Sequence, residues 1–193
     1  MVAIIDYGAG NISSVKYALD RLGVEAVLTH DKEVILQADK VIFPGVGEAA
    51  SAMKQLEKYD LVDFIPQLKQ DFLGICLGMQ LMCAYSEEGD TTGLGIFPVH
   101  VKRFQTDLKV PQIGWNTIEN LQTGLFKDVP EKSYAYFVHS YYVPINPFSI
   151  AETSYDVVFS SAIRKENFYA TQFHPEKSGD IGERILENFL RNV

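Results

Sequence analysis

Short apolar runs alternate with amphipathic stretches as far as Ala84. VAIID, Val2 to Asp6, is an unbroken apolar run of the kind shown by a strand buried on both faces. The turn YGAGN follows, and then a helical pattern from about Ile12 to Leu22. Val15, Ala18, Leu19 and Leu22 recur there at three-and-four spacing, and Gly23 supplies a C-terminal stop. EAVLT reads as a second strand, KEVILQA as a short helix opened by Asp31, and KVIFPG as a third strand ending at Pro44 and Gly45. Helices are expected from about Glu48 to Lys58 and again from about Leu61 to Leu68. DFLGIC is a fourth buried strand, and Leu77 to Ala84 reads as the helix after it. This alternation predicts an α/β fold, with a parallel sheet, helices on both faces and right-handed crossovers.

The pattern changes after about Pro98. VHVKRF, SYAYFVHSYYV, DVVFSSAI and NFYATQFH are rich in β-branched and aromatic residues and read as hairpin strands, extending the first sheet or forming a small one beside it. A final helix, Ile181 to Leu190, presents Ile185, Leu186, Phe189 and Leu190 as its apolar side. The expectation is one domain over residues 1–193 with a mixed, mostly parallel sheet.

Composition narrows the function classes. A net charge of −8 and a pI near 5.0 leave no basic surplus for neutralising phosphates, which argues against nucleic acid as a partner. The N-terminal run stops at Asp6 without a basic region before it, and no stretch has the length of a membrane span, so a cytoplasmic protein is expected. Two cysteines do not make a disulfide framework. GAGN lacks the third glycine of a dinucleotide fingerprint, so no nucleotide loop is expected there.

The most informative segment is GICLG, Gly74 to Gly78. A strand runs straight into Cys76 with glycine two residues before and two after, the cysteine counterpart of the serine nucleophile elbow. A sharp strand-to-helix turn needs small flanking residues. It also aims the positive end of the helix dipole at the thiol and the Leu77 N–H at a developing oxyanion. A core cysteine is the other reading of Cys76, but a core strand gains nothing from the two glycines. Cys83, in the apolar run LMCAY, reads as core.

A cysteine nucleophile needs a base and an orienter for that base. His30 and His100 lack an acidic residue at useful spacing. His174 lies in TQFHPEKS, two residues before Glu176, and in extended backbone such residues share a face. Pro175 pushes His174 toward extended geometry and suggests a strand end. Alone, the segment reads as a polar loop before the last helix.

Together these motifs resemble the triad, or class I, glutamine amidotransferases. GICLGMQ (Gly74 to Gln80) is similar to their nucleophile motif, QFHPE (Gln172 to Glu176) to their distal motif, and PGVG (Pro44 to Gly47) to their oxyanion loop. Within the family, IIDYGAGNISSVKYAL, PGVGEAASAM, PQIGWN, YFVHSYYV and HPEKSG most resemble the glutaminase subunits of imidazole glycerol phosphate synthase. The resemblance implies a three-layer, flavodoxin-like fold. It implies Cys76 as nucleophile, His174 as general base and later acid, Glu176 as orienter, and Val46, Gly47 and Leu77 at the oxyanion hole. Gln80, Glu88, His139, Ser140 and Tyr141 match positions that hold glutamine or line its pocket, and Asn11, Trp115 and Lys177 match positions near a subunit interface. A heterodimer with a (β/α)₈-barrel cyclase is implied, with no metal or organic cofactor, and with an oxyanion donor that stays turned away until the partner binds its own substrate.

Three rivals differ in what they predict. A glutaminase for anthranilate, aminodeoxychorismate or GMP synthesis is disfavoured by DYGAGN and PQIGWN. A Cys–His hydrolase on a related fold is disfavoured by GMQ and HPE, and a dead binding subunit by the intact Cys76, His174 and Glu176 set.

Overall fold

The structure, a computed structural model, describes residues 1–8 and 12–193. The first half runs β1 (Val2–Ile5), α1 (Ile12–Arg21), β2 (Ala26–Thr29), α2 (Lys32–Gln37), β3 (Lys40–Gly45), α3 (Ala49–Lys58), β4 (Asp71–Cys76) and α4 (Leu77–Leu81). There follow β5 (Cys83–Ser86), β6 (Thr91–Thr92), β7 (Phe97–Arg103), β8 (Gln112–Ile118), β9 (Ser133–His139) and β10 (Tyr141–Tyr142). The chain ends with β11 (Ser149–Tyr155), β12 (Val157–Lys165), β13 (Phe168–Thr171) and α5 (Gly179–Arg191).

The main sheet has seven strands in the order β11-β12-β13-β4-β3-β1-β2. The strands from β13 to β2 run parallel, and at one edge β12 pairs antiparallel with β13 and β11 antiparallel with β12. Successive side chains leave a strand on opposite faces, so the apolar runs feed two cores. Ala3, Ile5, Val41, Phe43 and Phe72 pack with Ile35 of α2 and Ala52, Met53 and Leu56 of α3. Ile4, Ile42, Leu73 and Ile75 pack on the other face with Val15, Ala18 and Leu19 of α1 and Ile185, Leu186 and Phe189 of α5. The Asp31 carboxylate caps α2 by accepting from the Glu33 and Val34 N–H groups. The second half does both things expected of it. β11, β12 and β13 extend the main sheet, while β10-β7-β5-β6 form a four-stranded sheet and β8-β9 a hairpin.

Two helices expected from the sequence differ. The stretch from Leu61 to Leu68 is turns and a single 3₁₀ segment, Ile65–Gln67, because Pro66 lacks an N–H and disfavours helical backbone at Ile65. The helix expected to reach Ala84 stops at Leu81. The carbonyls that would continue it are taken by the incoming chain: Leu94 N–H donates to Leu81 at 2.8 Å, Phe97 to Met82 at 3.0 Å and Gly95 to Cys83 at 3.2 Å. Cys83 is therefore on a strand. It is fully buried, with burial pushing its thiol pKa far up and Sγ 3.5 Å from the Met79 carbonyl.

Candidate active site

Because β3, β4 and β13 are adjacent and parallel, their C-terminal ends lie along one edge of the sheet. Ligand sites of open α/β sheets form at such edges. Cys76 ends β4, Gly45 ends β3 directly opposite it in register, and His174 follows β13. Cys76 holds φ 54° and ψ −109°, left-handed backbone that a residue with a Cβ adopts only under strain. The flanking glycines are explained by close approach. A Cβ on Gly78 would meet the Phe43 carbonyl oxygen, and one on Gly74 would meet Met82 Sδ and the Gly78 backbone. The loop after Gly45 is braced from below, where the buried Tyr7 hydroxyl donates to the Pro44 carbonyl at 3.1 Å.

Glu176 Oε1 lies 2.8 Å from His174 Nδ1, and the two side chains are 1% and 4% exposed. The expected contact is present, but its route differs. His174 is extended, with φ −96° and ψ 96°, whereas Pro175–Lys177 is a 3₁₀ turn that swings the carboxylate back under the imidazole. Ser178 Oγ donates to the His174 carbonyl at 2.7 Å and accepts from Tyr136 N–H at 3.0 Å, while His174 N–H donates to the Tyr136 carbonyl at 2.9 Å. Burial alone disfavours a charged imidazole. The opposing charges and hydrogen bonds of Cys76 and Glu176 outweigh it and raise the His174 pKa to about 10. The second carboxylate oxygen, Glu176 Oε2, is buried without a hydrogen-bond partner among the described residues, in a small void walled by Pro44, Gly45, Val46 and Ile75.

A cavity of about 300 Å³, the lower end of the usual range for small-molecule sites, collects most of the residues singled out from the sequence. Cys76, His174, Leu77, Val46 and Gly47 line it together with Gln80, Glu88, His139, Ser140 and Tyr141, and Lys177 and Pro111 also border it. Gly47 has φ 105°, open only to glycine without strain. Glu88 Oε2 accepts from Ala49 N–H at 2.9 Å, and burial raises its pKa against that hydrogen bond. Burial lowers the His139 pKa to about 4, so the ring is neutral and donates from Nδ1 to the Tyr141 carbonyl at 2.7 Å. Trp115 stands outside the cavity, 55% exposed on β8, and Asn11 lies outside the described residues. His30 and His100 are exposed, each against a tyrosine ring. Sequence reasoning passed over Tyr7, Gln112 and Gln172, all buried beside the site. Each lay inside a quoted motif, Tyr7 in IIDYGAGN, Gln112 in PQIGWN and Gln172 in QFHPE, but without a signal of its own.

A strained cysteine at a strand end, a histidine bound to a buried carboxylate and a glycine loop lining the same cavity are the parts that thiol-dependent acyl transfer requires, here on an α/β fold with helices on both faces of its sheet. Residues 3–193 match the family described as Glutamine amidotransferase class-I, and the chain belongs to that family. It is 60% identical over 192 residues to the imidazole glycerol phosphate synthase subunit HisH of Bacteroides fragilis, with 98% of both chains covered. It is 46% identical over 193 residues to the HisH subunit of Buchnera aphidicola, again with 98% of both covered. The fold is shared with a solved glutamine amidotransferase at TM-score 0.78 and 21% identity, covering 98% of this chain and 97% of that one. The solved PurLQS of Thermotoga maritima gives 0.73 at 16% identity, covering 98% and 96%.

Proposed function

We propose that this chain is the glutamine-hydrolysing subunit of an imidazole glycerol phosphate synthase and delivers ammonia to a barrel-shaped cyclase. The observation that carries the chemistry is Cys76, held at φ 54° on its turn within one cavity with His174, whose other side is bound by Glu176 at 2.8 Å. Cys76 sulfur attacks the side-chain carbonyl of glutamine, and the Leu77 N–H and the Val46–Gly47 backbone receive the oxyanion. One such donor is typically worth about 10²–10³ in rate, so the posture of that loop sets the activity. His174 gives its proton to the departing ammonia and then takes one from water. Water attacks the glutamyl thioester, the C–S bond breaks, and glutamate leaves. Glu176 keeps the imidazole oriented through both steps. The carboxylate of Glu88, which lines the same cavity, takes the substrate's ammonium group. No helix among the described residues is long and apolar enough to cross a membrane.

The cyclase pairing is supported by the HisH relatives and by the exposed aromatic face of β8–β9 beside the cavity. The test is glutamate release from glutamine by the chain alone, then with the cyclase and its ribonucleotide ligand. Strong stimulation abolished by Cys76→Ala is expected. A rate indifferent to the cyclase would move the chain to another biosynthetic partner.

A further inference from the structure

Gln172 is fully buried at the head of the segment carrying His174, and its carboxamide makes two contacts. Gln80 Nε2 donates to Gln172 Oε1 at 2.9 Å, and Gln172 Nε2 donates to Cys76 Sγ at 3.7 Å. The direction of this chain of hydrogen bonds is fixed at its far end. The Tyr141 backbone carbonyl can only accept, and it takes an N–H from Gln80 at 2.9 Å as well as Nδ1–H of His139 at 2.7 Å. Gln80 thus commits both amide hydrogens inside the protein, one to Tyr141 and one to Gln172, and only its oxygen remains for a ligand. Gln172 must in turn present oxygen to Gln80, which leaves its nitrogen facing sulfur.

We propose that Gln172 is a further working residue of this site: its amide N–H serves the Cys76 sulfur, and its carbonyl fixes Gln80 with an acceptor toward substrate. This rests on the reading of Cys76 as the nucleophile toward glutamine. The N–H matters most when the thioester is hydrolysed. As the tetrahedral adduct with water collapses, the C–S bond breaks and its electron pair returns to sulfur. A donor already aimed at that atom stabilises the charge as it develops, without reorganisation at the moment of reaction. During acylation the sulfur loses charge and the same donor is of less use. Loss of Gln172 therefore slows the second half of the reaction more than the first, and the glutamyl thioester accumulates.

The experiment compares wild type, Gln172→Met and Gln172→Glu in the presence of the cyclase. It measures kcat together with the fraction of Cys76 held as thioester at steady state, by intact mass after acid quench. Methionine has neither arm; glutamate has a similar size and keeps the acceptor for Gln80, and once its buried carboxyl is ionised it offers sulfur no donor, so the comparison is run across pH up to the alkaline side. Both variants are expected to lose about ten- to a hundredfold in kcat, the effect of one hydrogen bond to a charged atom, with the thioester fraction rising well above wild type. A purely structural role would lower the melting temperature and kcat without trapping the intermediate. If Gln172→Met fails to fold, Gln172→Glu carries the measurement alone. A folded variant with wild-type kcat, or one with low kcat and no added thioester, overturns the proposal. If Cys76→Ala retains glutaminase activity, the nucleophile assignment itself fails, which no Gln172 result can mimic.

Discussion

At Cys76 the backbone and the chemistry pull in different directions. A residue with a Cβ at φ 54° costs on the order of 1–3 kcal/mol relative to relaxed backbone, and the close fit of the surrounding sheet holds it there. Glycine at that position relieves the strain, whereas alanine keeps it. Cys76→Gly is therefore expected to be more stable than Cys76→Ala by about 1 kcal/mol in chemical denaturation, although both are inactive. His139 gives a second residue-scale test. Its ring sits against Phe104 at 5.3 Å, Phe159 at 5.2 Å and Phe137 at 5.7 Å, and its folded pKa falls from the ordinary 6.5 to about 4. Between those two values the unfolded chain binds a proton there and the folded chain does not, so this group's contribution is full above 6.5 and is lost as pH falls toward 4. Wild type should lose on the order of 2–3 kcal/mol relative to His139→Gln over that window. Parallel stability curves for the two proteins would show that His139 is not held neutral.

Among the elements, the turn from β4 into α4 has the least freedom. A Cβ on Gly78 would press on the Phe43 carbonyl in the middle of β3, which cannot yield without breaking the sheet, whereas one on Gly74 meets chiefly Met82 Sδ at the end of a flexible side chain. Gly78→Ala is thus expected to cost about 3 kcal/mol and most of the activity, and Gly74→Ala visibly less. The reverse order in thermal melts would sink this account of the elbow. The same segment shows what was legible beforehand. Gly74, Cys76 and Gly78 were readable because a sharp turn demands small residues at fixed spacing, and the strands β1, β3 and β4 because burial on both faces leaves unbroken apolar runs. The end of α4 was not readable, since its last carbonyls are claimed by Leu94, Gly95 and Phe97, residues whose proximity is a tertiary fact. The same holds for Gln80 with Gln172, 92 positions apart. His174 and Glu176 were paired correctly by spacing, yet through a 3₁₀ turn that the extended-strand argument did not contain.

Across the whole molecule, β8–β9 joins an exposed surface to the reacting groups. Its outer face carries Ile113, Trp115 and Tyr134, which are 56%, 55% and 61% exposed, and Trp115 meets Tyr136 edge-on at 5.8 Å. Large exposed aromatics grouped on one rigid hairpin are the composition of an interface centre rather than of a solvated surface. The same hairpin reaches the site, for Val138 and His139 line the cavity and the Tyr136 backbone is bonded to both His174 and Ser178. A cyclase seated on this face would lie against the cavity's rim, positioned to receive ammonia, and its load would pass through Tyr136 to the strand end that holds the histidine. Trp115→Ala is accordingly expected to weaken the complex by about 2 kcal/mol, roughly thirtyfold in Kd, measured by calorimetry or by titrating the stimulation of glutamate release. At saturating cyclase kcat should return to the wild-type value, because the lost contact is one of docking. An unchanged Kd with full stimulation would place the partner on another face, and an unchanged Kd with lost stimulation would make Trp115 part of the signal from partner to site rather than an anchor.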